Sequence, residues 1–140
     1  MRLTYLFNSA VPSHNAGSTQ VIKTCEGLIQ DNNEVFIITP NTGLNKSLKS
    51  FYDLKSTPKR IKLKYFTKHP QGIKYYIFSI LSVIKAMSLK TDLFITRNLF
   101  TLIILNIFKK KTIIEIHHDL SNEGRIVNFI YKNFKILNSK

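Results

Sequence analysis

The sequence predicts one α/β domain: a mostly parallel sheet with helices on both faces. Three observations carry this. Short continuous apolar runs alternate along the chain with longer stretches whose apolar residues recur at helical spacing, which is the pattern of strand–helix–strand units. The runs are apolar throughout instead of every second residue, as strands covered on both faces are. The chain has 140 residues and 44% hydrophobic content, enough to bury one core and too apolar for disorder.

Residues 3–7 form the first strand, followed by a loop over 8–16 that contains Pro12. Residues 17–30 read as a helix, because Val21, Ile22, Cys25, Leu28 and Ile29 fall on one stripe. Asp31-Asn32-Asn33 ends it, and residues 35–39 form a second apolar strand closed by Pro40. A short helical turn is expected near residues 48–54. In residues 61–66 Ile61, Leu63 and Tyr65 alternate with Lys62, Lys64 and Phe66, which suits a half-exposed edge strand. A long helix over 73–88, a strand over 93–96, a helix over 99–108 and a strand over 113–116 follow. An amphipathic helix over 123–134 carries Ile126, Val127, Ile130 and Phe134. Right-handed crossovers then favour the strand order 3-2-1-4-5, with the first strand central.

Charge and cysteine content narrow the function. Twenty-one Lys and Arg against eight Asp and Glu give a formal net charge of +13. Residues 54–90 hold no acidic residue, while Lys55, Lys59, Arg60, Lys62, Lys64, Lys68, Lys74, Lys85 and Lys90 lie within them. Lys dominates, and only Arg2, Arg60, Arg97 and Arg125 are arginines, so an anionic lipid surface suits the chain better than nucleic acid. A plain solvated, Lys-rich surface explains the same composition equally well. Cys25 is the single cysteine, which excludes a disulfide framework and fits a reducing cytoplasm. The apolar stretches 72–87 and 99–108 fall short of the roughly 20 residues that cross a bilayer, and both read as helices on a sheet face.

Chemistry is expected where strands end. Ligands of parallel α/β sheets bind outside the carboxyl ends of the strands. Thr112-Ile113-Ile114-Glu115-Ile116-His117-His118-Asp119 is an apolar run that releases two carboxylates and two imidazoles, and Asp92-Leu93-Phe94-Ile95-Thr96-Arg97 ends in a polar pair. The loop after the first strand opens the first helix at Gly17, where backbone N–H groups attract anions and Ser18 is placed to cap. It carries neither the G-x-G-x-x-G dinucleotide fingerprint nor a Walker-type Gly-Lys-Ser/Thr. Glu115, His117 and His118 lack a third ligand nearby, with His14 and His69 remote, so no metal is expected. No G-x-S-x-G elbow supports a serine hydrolase. Glu115 either orients His117 or pairs with Arg97.

In order and spacing, the Gly-opened first helix, Phe94-Ile95-Thr96-Arg97 and Glu115-Ile116-His117-His118-Asp119-Leu120 resemble the N-terminal domain of family 4 glycosyltransferases of the GT-B fold. The similarity spans nearly the whole chain. It implies a Rossmann-like acceptor-side domain that works with a second, donor-binding domain. It implies that His117, in the family's E-x-H position, is the catalytic contact to the donor sugar. The Ala16-Gly17 turn would lie near the donor diphosphate. Ser18, Thr96, Arg97 and Glu115, each at a strand end or the start of the helix that follows, are expected to bind substrate at the same carboxyl edge. The usual Gly-Gly is Ala16-Gly17 here. The implied substrates are a nucleotide-sugar donor and a glycan or lipid-linked acceptor, with no cofactor and no metal. The donor domain and its paired glutamates are not in this sequence, so the expectation is a half-enzyme, inactive alone: a truncated gene, a fragment, or one subunit of a split transferase that a donor-domain partner chain would complete. It would work in the cytoplasm, peripherally on the inner face of the membrane. The competing expectation is a basic Rossmann-like module that binds an anionic membrane or nucleic acid without catalysis. A flavodoxin-like signalling domain ranks last, because Asn8-Ser9 stands where acidic residues would be needed.

Overall fold

The computed structural model describes residues 1–41, 46–64 and 70–116. Five parallel strands form one sheet in the order β3-β2-β1-β4-β5. They are β1 (Arg2–Leu6), β2 (Glu34–Pro40), β3 (Lys59–Leu63), β4 (Leu93–Thr96) and β5 (Thr112–Ile114). The helices are α1 (Ala16–Gln30), α2 (Leu48–Tyr52), α3 (Ile73–Ser88) and α4 (Leu99–Ile107). The Rossmann-like α/β class, the strand order and the central position of β1 are as the sequence predicts. The expected helix over 123–134, and Tyr65 and Phe66 of the expected edge strand, lie outside the described residues.

Side chains alternate across the pleat, and the two cores follow that alternation. Leu3, Tyr5, Val35, Ile37 and Ile95 face one way and pack with Val21, Ile22 and Cys25 of α1 and Leu48 and Tyr52 of α2. Leu6, Ile38 and Phe94 face the other way and pack with Val83 and Ala86 of α3 and Leu105 of α4. Thus α1 and α2 cover one face of the sheet, and α3 and α4 cover the other.

Element ends follow local chemistry. Asn15 caps α1, its Oδ1 accepting the Gly17 N–H at 2.8 Å. Asn32, at φ 60°, turns the chain out of α1, and Asn33 Nδ2 donates to the Leu28 carbonyl at 3.0 Å. Gly72 stands before α3 at φ 55°, a conformation L side chains rarely adopt. Asn98 caps α4 by accepting from Thr101 N–H at 3.1 Å. Its other side-chain bonds tie α4 to α3: Oδ1 accepts from the Tyr75 hydroxyl at 2.7 Å, and Nδ2 donates to Ser79 Oγ at 2.8 Å.

Three local expectations are corrected. The edge strand starts at Lys59, not Ile61, because Lys59 and Arg60 pair in register with Phe36 and Ile37 of β2. The last strand ends at Ile114, two residues early, although Glu115 N–H still reaches the Thr96 carbonyl at 2.9 Å. Asn15, not Ser18, is the cap of α1, since Ser18 already lies in the helix and is buried.

Candidate functional site

The register of the sheet assembles the site. Tyr5 is paired with Ile95 in β4, and Ile95 with Ile113 in β5, so these three share one row on the α1 face. Arg97 and Glu115 stand two residues beyond Ile95 and Ile113, and a step of two along extended chain returns a side chain to the same face. Both therefore emerge at the carboxyl edge, on the α1 side.

There they meet. Arg97 donates to Glu115 Oε2 from Nη2 at 2.9 Å and from Nε at 3.0 Å. The Tyr5 hydroxyl donates to the same Oε2 at 2.7 Å and accepts from Arg97 Nε at 3.0 Å. Arg97 Nη1 reaches toward the Gly17 carbonyl in the first turn of α1, at 3.5 Å. The pair is mostly covered, with side-chain exposures of 14% for Arg97 and 22% for Glu115. Burial, then the hydrogen bond and negative charge of Glu115, hold the Tyr5 phenol well above its ordinary pKa. Burial also pushes the Cys25 thiol up to about 12, with the Glu115 charge adding to it. Cys25 is thus a neutral core side chain and not a nucleophile.

Of the residues singled out in the sequence, Gly17, Arg97 and Glu115 converge. The Gly17 N–H does not stand free, because Asn15 Oδ1 accepts it. Ala16 is exposed at the start of α1. Ser18 faces the preceding loop, its Oγ donating to the Ala10 carbonyl and accepting from Ser13 Oγ, both at 3.0 Å. Thr96 is buried, its Oγ1 donating to the Leu6 carbonyl at 3.2 Å and accepting from Asn98 N–H at 3.1 Å. Ser18 and Thr96 thus shape the edge without turning a free hydroxyl toward it. His117, His118 and Asp119 lie outside the described residues. Tyr5 was not among the residues singled out in the sequence. The signal for it was present: it lies in the row directly beneath Arg97 and Glu115.

Beside this cluster the loop and α2 build a small aromatic wall. The exposed His14 ring lies tilted at 44° against Phe51, centroids 4.8 Å apart, and Phe51 meets Tyr52 edge-on at 4.8 Å. The Tyr52 hydroxyl accepts from Ser13 N–H at 2.7 Å and donates to the Ser13 carbonyl at 2.9 Å, which fixes the loop.

Chemically, the edge offers a guanidinium held in one orientation by a carboxylate, next to the positive end of a capped helix. Among the described residues no group of three or more His, Cys, Asp and Glu stands close enough to hold a metal.

Fold and site together define a small Rossmann-like α/β domain whose carboxyl edge carries the Arg97–Glu115 ion pair. Comparison with protein-family models and with curated proteins finds no match for the chain.

Proposed function

We propose that the chain is the acceptor-side domain of a nucleotide-sugar-dependent glycosyltransferase, which passes a sugar to a glycan or lipid-linked acceptor when joined by a donor domain. The observation that supports this best is the meeting of Gly17, Arg97 and Glu115 at the carboxyl edge, two residues before His117. In this reading Glu115 is a positioning residue that aims Arg97 at the donor diphosphate beside the start of α1. Ala16, Gly17 and Ser18 shape that approach. His117 hydrogen-bonds the donor sugar, and Arg97 offsets charge that builds on the diphosphate as the sugar leaves. The chemistry asks for no metal and no cofactor. Nucleotide-sugars are made inside cells, so the reading puts the chain in the cytoplasm.

The test is reconstitution with a donor domain, supplied fused or as a separate chain. Sugar transfer should appear only in the combined protein. His117→Ala should cut the rate by about 100-fold or more, the scale of losing a transition-state hydrogen bond to a charged group. Its thermal midpoint should stay near that of the parent. Equal rates in mutant and parent would remove His117 from the chemistry.

A further inference from the structure

The outer surface of α3 carries a feature the site does not use. Ile73, Ile77, Ile80, Ile84 and Met87 are all exposed, Ile73 at 79% and Ile84 at 60%. Their spacing of four, three, four and three keeps them on one face of the helix for about 21 Å. The buried residues Phe78, Ser79, Ser82, Val83 and Ala86 occupy the opposite side. α3 therefore has two apolar faces, and only one of them is used by the core. Lys74 and Lys85 are exposed and three turns apart, so they flank the stripe on one side.

The pattern recurs at the end of α4, on the same face of the sheet. Ile107, 70% exposed, and Phe108 are followed by exposed Lys109, Lys110 and Lys111. Residues 54–90, which include all of α3, hold no carboxylate. The acid nearest to α3 in sequence, Asp92, accepts the Arg2 backbone N–H at 2.7 Å.

We propose that the outer face of α3 docks on an anionic lipid surface, with the isoleucine stripe lying in the boundary between headgroups and acyl chains and the lysines among the headgroups. A helix of this kind binds in the membrane plane through apolar area, aided by basic residues near anionic lipid. The charge selects the occupant. A second copy would set one acid-free, lysine-flanked face against another with no carboxylate to pair. A protein partner would want aromatic or arginine anchors at the centre of the patch, and the stripe offers only aliphatic side chains. A bilayer requires neither anchors nor a fixed register. Among the described residues no helix is long and apolar enough to cross the membrane, so α3 lies on it. The proposal stands apart from the transferase reading, and its test has no catalytic readout.

Flotation of the full chain with vesicles decides it. The chain should float with phosphatidylcholine vesicles that contain phosphatidylglycerol, stay behind with phosphatidylcholine alone, and bind less as salt rises. The double variant Ile77→Ser/Ile84→Ser alters only exposed positions and should keep the parent's melting temperature while losing binding at least tenfold. Lys74→Gln/Lys85→Gln should lose about thirtyfold at low salt. Unchanged binding of the serine variant would overturn the proposal, because adsorption would then be charge alone. So would equal binding to both vesicle types, or none to either. A parent that dimerises without binding vesicles, and a serine variant that is monomeric, would assign the stripe to a second copy instead.

Discussion

Arg97 and Glu115 meet through two nitrogens on a single oxygen, Nε at 3.0 Å and Nη2 at 2.9 Å from Oε2. The pair joins the end of β4 to the end of β5 on a largely covered edge, so neither side chain is replaceable alone. Removing one partner leaves the other short of hydrogen bonds in a place water reaches poorly. Arg97→Ala and Glu115→Ala should each cost about 1–3 kcal/mol in chemical denaturation. The double variant should cost clearly less than the sum of the two. Additive losses would show that the two side chains do not depend on each other.

The Tyr5 hydroxyl gives a second test through its titration. Its pKa is raised in the fold by burial and by the Glu115 carboxylate. A group whose folded pKa is raised contributes stability that is complete below its unfolded value, about 10 for tyrosine, and that fades as pH climbs beyond it. The parent should therefore lose stability above about pH 10, and Tyr5→Phe should lose less of it over that range. At neutral pH the same variant should be less stable by about 1–2 kcal/mol, for the hydrogen bond lost to a charged partner. Ultraviolet titration should show one fewer late-ionising tyrosine in the variant than in the parent, with the Tyr52 phenol, also raised by burial, remaining in both.

How much of this could be read from the chain depends on what kind of signal each feature leaves. The parallel sheet was legible because the segments around Leu3, Val35, Leu93 and Ile113 are apolar on both faces, and few other folds bury a strand that way. Arg97 and Glu115 were legible as edge residues because each follows an apolar run directly. Their pairing was one of two alternatives, since only the register of β4 on β5 decides which side chains share a face. Tyr5 was missed because a tyrosine inside an apolar strand reads as core, and its ring is indeed fully buried; only its hydroxyl reaches the edge. In sequence Ser18 reads as a cap of α1 as readily as Asn15 does, because both are good capping types. One turn apart, they are told apart only by the backbone, extended at Asn15 and helical at Ser18.

On the far side of α1, Glu26 ties the helix to the segment after α2. Its carboxylate accepts from Lys23 Nζ at 3.0 Å and from Lys55 N–H at 2.6 Å, and these bonds, the Lys23 one first, hold its pKa below the ordinary range. A lowered folded pKa contributes stability above the unfolded value, about 4.3, that is lost as pH falls through the folded one. Glu26→Gln should therefore lower the melting temperature at pH 7, and the gap to the parent should narrow on acidification to about pH 3. A gap that is constant with pH would mean that the carboxylate's charge contributes nothing. Glu34, held between Arg2 and Lys59, lowers its pKa in the same way and should titrate in parallel.

Gly17 separates a structural role from a ligand-binding one. A methyl group placed there would stand 3.4 Å from Asn15 Oδ1 and 3.8 Å from Arg97 Nη1, ordinary contacts that ask nothing to move. The residue lies in the first turn of α1, where alanine loses less chain entropy on folding than glycine. Gly17→Ala should thus leave the fold intact and raise its stability by about 0.4–1 kcal/mol. Asn15→Ala should instead cost about 1 kcal/mol, because the Gly17 N–H loses its acceptor. If a diphosphate packs against this turn, the added methyl occupies its path. Sugar transfer in the reconstituted enzyme should then fall in the more stable Gly17→Ala protein, with the loss appearing as a higher KM for the nucleotide-sugar. A variant that is both more stable and fully active would free the α1 terminus of any phosphate and leave Arg97 as the anion contact at this edge.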